Sequence, residues 1–177
     1  MNFSLDNCYT KEITGIIILG MVVTMIFDSK PLDFNFIRER LLCLPDSLAS
    51  LEQQISAVIL FGSLATNKET PLSDVDLAVL YPKSLSLAEL DRLHSQVIGI
   101  ITDLLQSDDI DVINLNTAPL SMQYGAIKQS KILLLNNRDE YIDYWEQTVK
   151  YYLDFKPLLD ECNNTLLETL SGRTVYG

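Results

Sequence analysis

Basic residues are scarce in this 177-residue chain: 13 lysines and arginines face 24 aspartates and glutamates, leaving a net charge of -11. Such a charge repels a phosphate backbone, so direct nucleic-acid binding is not expected. A nucleotide would need cations that neutralise both partners. Cysteine is nearly absent. Cys8, Cys43 and Cys162 are odd in number, far apart and outside any C-x-x-C pair, which excludes a disulfide framework and a cysteine zinc site and points to reduced thiols in the cytoplasm. The single histidine, His94, falls on or beside the apolar stripe of a helix, where a packed ring is expected rather than a catalytic base. Only one long apolar run is present. Residues 13–27, ITGIIILGMVVTMIF, fall short of the roughly 20 that a spanning helix needs, so a membrane anchor is not favoured. Lys11 is offset by Glu12 and no A-x-A-like site follows, which argues against a signal peptide. Met25 is a second candidate start, in which case residues 1–24 would have no structural role.

A chain of this length can bury a core in one domain without disulfides or a structural metal. From residue 31 onward, helical and strand periods alternate. Phe34, Ile37, Leu41 and Leu44 are at helical spacing, with Asp33 as cap and Pro45 as stop. Residues 55–61 (ISAVILF) and 74–81 (DVDLAVLY) read as strands, the second ending at Pro82. Ser86 and Glu89 form a capping box ahead of an amphipathic helix to about residue 106. A third strand covers 110–115, a short helix follows Pro119 to about 129, and KILLL is a fourth strand over 131–135. Asn137 with Glu140 then opens a last helix, which Pro157 is expected to kink or end. The order predicts a single-domain α/β (α+β) fold: a small mixed sheet of about four strands with helices packed on it. The expected boundaries are an N-terminal extension over 1–30, a core over 31–137 and a C-terminal helical segment over 138–177. The rings of that segment, Tyr141, Tyr144, Trp145, Tyr151, Tyr152 and Phe155, occupy more than one helix face. Some should enter the core; a partner protein is expected to cover others, around Tyr144, Tyr151 and Tyr152.

The chemistry concentrates in residues 60–80, LFGSLATNKETPLSDVDLAVL. Strand alternation puts Asp74 and Asp76 on one face, ~6.6 Å apart at Cα. Asp111, on a strand ~4.8 Å away if adjacent, could join them. Asp109 shares the face of Asp111 and is the second choice. Three carboxylates in one small volume repel, each pair by about 4 kcal/mol at ~4 Å and an effective dielectric of ~20, and so call for divalent cations. A pair of magnesium ions held by carboxylates is the clamp used for in-line displacement at phosphorus. Gly62 and Ser63 complete the pattern: glycine lets the backbone turn closely past a phosphate, and amides and a hydroxyl can face it.

GSLATNKETPLSDVDL resembles the G-S-x10-D-x-D signature of the DNA polymerase beta-type nucleotidyltransferase superfamily, and DVINLNTAP resembles its third-carboxylate strand. Within it the chain is most similar to the MntA-type antitoxins of HEPN/MNT toxin-antitoxin modules, over roughly residues 31–170. The resemblance implies that Asp74 and Asp76 bind two metals, Mg²⁺ or alternatively Mn²⁺. It also implies that Asp111 binds one of them and helps deprotonate the attacking hydroxyl, and that Gly62 and Ser63 hold the triphosphate of ATP. Thr66-Asn67 stands where many members carry Arg-Gly; Asn67 tolerates the left-handed conformation, but a charge is lost that Lys68 would have to replace.

The function so implied is protein adenylylation: AMP passes from ATP to a tyrosine of a partner HEPN RNase toxin, neutralising it, and pyrophosphate leaves. One alternative is an aminoglycoside- or lincosamide-type nucleotidyltransferase, which needs a small-molecule pocket for which this chain has little length. The other is an antitoxin that only binds and has no reason to tolerate clustered carboxylates.

Overall fold

The strand β1 (Ala57–Phe61, AVILF) is buried from Ala57 to Leu60, a continuous apolar run that only a central position can accommodate. In the computed structural model, which describes residues 32–170, it lies inside a four-stranded mixed sheet of order β3-β2-β1-β4. The strand β1 is antiparallel to β2 (Val75–Leu80) and to β4 (Lys131–Leu135), while β2 and β3 (Ile110–Asn114) are parallel. A parallel pair requires a crossover, and the 19-residue helix α4 (Leu87–Leu105) supplies it. The apolar run 13–27 and the extension over 1–30 lie outside the described residues.

Two layers cover the sheet. On one face α1 (Phe34–Leu41), α2 (Leu44–Ser47), a 3-10 segment (Ala49–Gln54) and α4 bury Ile37, Leu44, Val97 and Ile101 against Val58, Leu60, Leu77 and Val79. On the other, α5 (Leu120–Lys128) and the first turns of α6 (Arg138–Leu170) bury Ala126, Ile127 and Tyr141 against Ile59, Ala78 and Leu80. Each fully buried aliphatic side chain contributes about 1.5–3 kcal/mol from its area alone. The layers make the single-domain α/β fold that the alternation of periods predicts.

Caps hold the elements at their ends. Ser86 and Glu89 form the reciprocal capping box of α4, and Gln106 closes that helix in the left-handed region at φ 53°. The Asp33 carboxylate accepts from the amides of Asn35 and Phe36 at the start of α1. At the start of α6, Asn137 accepts from the Glu140 amide; the Glu140 carboxylate in turn accepts from the Ser56 hydroxyl at 2.5 Å and the Lys83 amide at 2.8 Å. These bonds tie α6 to the sheet end at which β1 begins and β2 finishes.

Two proline expectations are corrected. Pro45 does not stop the first helix: α1 ends at Leu41, and Pro45 enters the first turn of α2, where its missing N–H is no loss. Nor does Pro157 end α6, which runs for 33 residues with Pro157 inside it. The carbonyl that loses its donor belongs to Leu153, in an exposed stretch where water can take over that role. Strand ends are trimmed, β1 starting at Ala57 and β2 spanning Val75–Leu80.

The ring-bearing surface is also redrawn. Tyr141 is buried, and Tyr144 donates to the Leu115 carbonyl at 3.1 Å, its phenol pushed up to about 12 by burial. Tyr152 is half-buried and stacks on Tyr124 with ring centroids 3.8 Å apart. Of the three rings expected to dock a partner only Tyr151 is exposed, in company with Trp145 and Phe155.

Candidate active site

The end of β1 and the starts of β2 and β3 meet at one edge of the sheet. Phe61 pairs with Asp76, and the parallel register sets Asp76 directly beside Asp111. Val75, Leu77 and Val79 face the α4 side, so Asp76 projects to the face of Ala78 and Leu80; Asp111 does likewise, since Ile110 and Val112 pack on the α4 side. Asp74 is exposed just before β2, Asp111 is exposed, and Asp76 is half-buried between them. Burial, first, and then the charges of Asp111 and Asp74 raise the pKa of Asp76 above the usual aspartate value. Asp109 has no part in that field; its carbonyl accepts from the Val75 amide at 3.1 Å. Asp111, not Asp109, is thus the neighbour of Asp76.

Gly62 follows β1 at φ +70°, a left-handed conformation that opens the four-residue α3 (Gly62–Ala65). A β-carbon there would lie 1.9 Å from Asp76 Oδ2 and 2.7 Å from its Cγ. The close approach that the motif suggests for a phosphate is taken up first by Asp76, for which Gly62 makes room. Ser63 is half-buried, and its hydroxyl makes no hydrogen bond to protein among the described residues, so it is open to a ligand. Thr66 turns its hydroxyl back onto the Gly62 and Ser63 carbonyls at 3.0 and 3.1 Å, closing the turn. Asn67 adopts φ 54°, as its place in the motif requires.

The loop from α3 to β2 is anchored from outside the motif. Glu69 pairs with Arg38 of α1, which holds its carboxyl below the usual range. Lys131, at the start of β4, donates to Asn67 Oδ1 at 3.4 Å and adds its field at Glu69. Lys131 thereby puts a positive charge beside the turn that carries Thr66 and Asn67. Spacing along the chain could not reveal this, because 64 residues separate the partners.

His94 is packed, as its place on the helix stripe suggests. Its Nδ1 lies 2.9 Å from the Tyr81 hydroxyl, the two rings meet edge to face, and the ring also bonds the Val112 backbone. This is the α4 side of the sheet, opposite Asp76. A groove of about 450 Å³ lined by Ile127, Ile132, Tyr141, Ile142 and Trp145 contains none of the motif residues.

Residues 46–139 match the family model described as polymerase beta, nucleotidyltransferase. The chain belongs to the polymerase beta nucleotidyltransferase family. Among solved structures this nucleotidyltransferase is similar to a chain of a toxin-antitoxin crystal structure with AMP-PNP, at 20% identity and a TM-score of 0.54, covering 77% of this chain and 99% of that one. It is similar to a chain of the tri-AMPylated Shewanella oneidensis HEPN toxin in complex with MNT antitoxin, at 18% identity and a TM-score of 0.54, covering 73% and 98%. A third likeness, at 17% identity and a TM-score of 0.55, is to a chain of the MntA-HepT toxin-antitoxin structure, again covering 73% and 98%. No curated protein sequence matches the chain.

The acidic side chains that meet at this edge offer carboxylate oxygens, which suit hard cations such as Mg²⁺ and Mn²⁺. Among the described residues no three histidine, cysteine or acidic side chains converge closely enough to hold an ion by themselves. The pair that the strand register brings side by side is Asp76 and Asp111, and carboxylates of this kind fit a hard divalent cation. No helix among the described residues is long and apolar enough to cross a membrane.

Proposed function

We propose that this chain is an antitoxin that adenylylates a tyrosine of a partner HEPN RNase toxin, with ATP as AMP donor. The observation that carries the reading is the edge at which Gly62 packs on Asp76 while Asp76 stands in register with Asp111. Gly62 and Ser63 hold the triphosphate, the Ser63 hydroxyl donating to a phosphate oxygen, and Lys131 lends a positive charge from the side. Asp74, Asp76 and Asp111 hold the metal. When bound, two Mg²⁺ ions, or Mn²⁺ in their place, neutralise the triphosphate and stabilise the charge of in-line displacement.

The tyrosine oxygen bonds to the α-phosphorus, the bond from that phosphorus to the oxygen bridging it to the β-phosphate breaks, and pyrophosphate departs with the electron pair. Asp111 takes the phenolic proton. The partner assignment draws support from the related structures, which are toxin-antitoxin complexes, one with an AMPylated HEPN toxin. Intact-protein mass spectrometry tests it: with ATP and magnesium the toxin should gain one or more AMP units, and Asp74→Asn/Asp76→Asn protein should leave its mass unchanged. An unmodified toxin whose RNase activity is nevertheless fully inhibited by both proteins would reject transfer and leave an antitoxin that acts by binding.

A further inference from the structure

The stripe that seats α6 on the domain does not stop where the domain stops. Tyr141, Tyr144, Thr148 and Tyr152 recur at steps of three and four residues; Tyr141 and Thr148 are buried, and Tyr144 and Tyr152 half-buried. Phe155, Leu159, Cys162 and Leu166 continue the same steps and hence the same helix face. Beyond the Tyr152–Tyr124 stack, however, every residue from 153 to 169 is exposed. Phe155 is 53% exposed, Leu159 36% and Leu166 57%, with Leu158 and Leu167 beside them at 54% and 64%. A helix whose core-facing seam runs on for about four turns over no floor is shaped to receive another helix.

Charge indicates which kind. From Tyr151 to Leu170 the helix carries Asp154, Asp160, Glu161 and Glu168 against Lys156 alone, on a chain of net charge -11. A second copy would oppose like charges along the whole seam, whereas a basic amphipathic helix would match both the apolar stripe and its flanks. We infer that Phe155, Leu159, Cys162 and Leu166 form a docking seam for a basic, apolar-striped helix of a partner protein. The identity of that partner rests on the antitoxin reading; the seam extends past the rings at which docking was expected.

The test uses the full chain, alone and co-expressed with the HEPN RNase toxin of the proposed function. Leu159→Glu/Leu166→Glu should lower affinity for that protein ~100-fold while leaving magnesium-dependent ATP binding and the melting temperature of the isolated chain unchanged. Asp154→Lys/Glu161→Lys should weaken the complex at low salt and have little effect at high salt. Unaltered affinity in the leucine variant, tighter binding on charge reversal, or no complex with the wild-type chain would each overturn the inference. So would a wild-type homodimer that the leucine variant breaks, since a second copy would then be the occupant. A lower melting temperature of the isolated variant would also overturn it, because the chain would be covering its own seam. A complex that forms through the seam without AMP transfer would instead reject the transferase reading and leave the seam standing.

Discussion

Gly62 is held so close to Asp76 that a β-carbon on it would lie 1.9 Å from the Asp76 carboxylate. Motif glycine and motif aspartate thus form one packed unit, with the turn after β1 serving as the wall against which the carboxylate rests. Gly62→Ala would suffer twice, from a φ of +70° and from the displaced carboxylate. The expected cost is about 1–3 kcal/mol, read as a lower melting temperature, together with loss of AMP transfer. A variant that keeps full transfer would show that the position of Asp76 does not depend on this contact.

Asp76 carries the cost of its burial and, after that, of its charged neighbours. Its pKa is raised, so the native state without metal holds this proton more tightly than the unfolded chain does. The sign follows: the metal-free protein loses stability as pH rises from the usual aspartate value through the raised native one, and the loss is complete above it. Asp76→Asn should remove that loss and stabilise the chain in EDTA near neutral pH, by under about 1 kcal/mol because solvent screens the site. Magnesium with ATP should stabilise wild type and not the variant. Thermal melts with EDTA and with magnesium and ATP would settle this; strong destabilisation by the substitution would make Asp76 a structural residue.

His94 offers a second pH signature, clean because the chain has no other histidine. Burial lowers its pKa, since a charged ring would sit in the packed contact where Nδ1 lies 2.9 Å from the buried Tyr81 hydroxyl. The unfolded chain therefore takes up the proton first. Stability should fall as pH drops below ~6.5, and the loss should be complete below the lowered native value. His94→Gln should flatten the dependence between about pH 5.5 and 7, measured by urea unfolding across that range. A wild-type profile that is already flat would count against the buried, neutral ring.

What the sequence by itself determined was local: the periods of the strands and helices, the Ser86–Glu89 box, the cap at Asp33, and the G-S-x10-D-x-D spacing. Each depends on neighbours within a turn or a strand, so a short window suffices to read it. The polymerase beta family and its fold were legible for that reason. Tertiary structure decided what depends on distant partners. Alternation could offer both Asp109 and Asp111; only the pairing of β2 with β3 set Asp111 beside Asp76. Lys131 reaches Asn67 only because β4 lies alongside β1. The rings of α6 look alike along the chain, yet Tyr144 is held at Leu115 and Tyr152 at Tyr124, while Phe155, next on the same stripe, meets solvent. Burial is a property of what lies beneath a side chain. Prolines 45 and 157 show the same limit: a missing N–H ends a helix only where no first turn or water accommodates the loss, and that is set by the surroundings rather than by the residue.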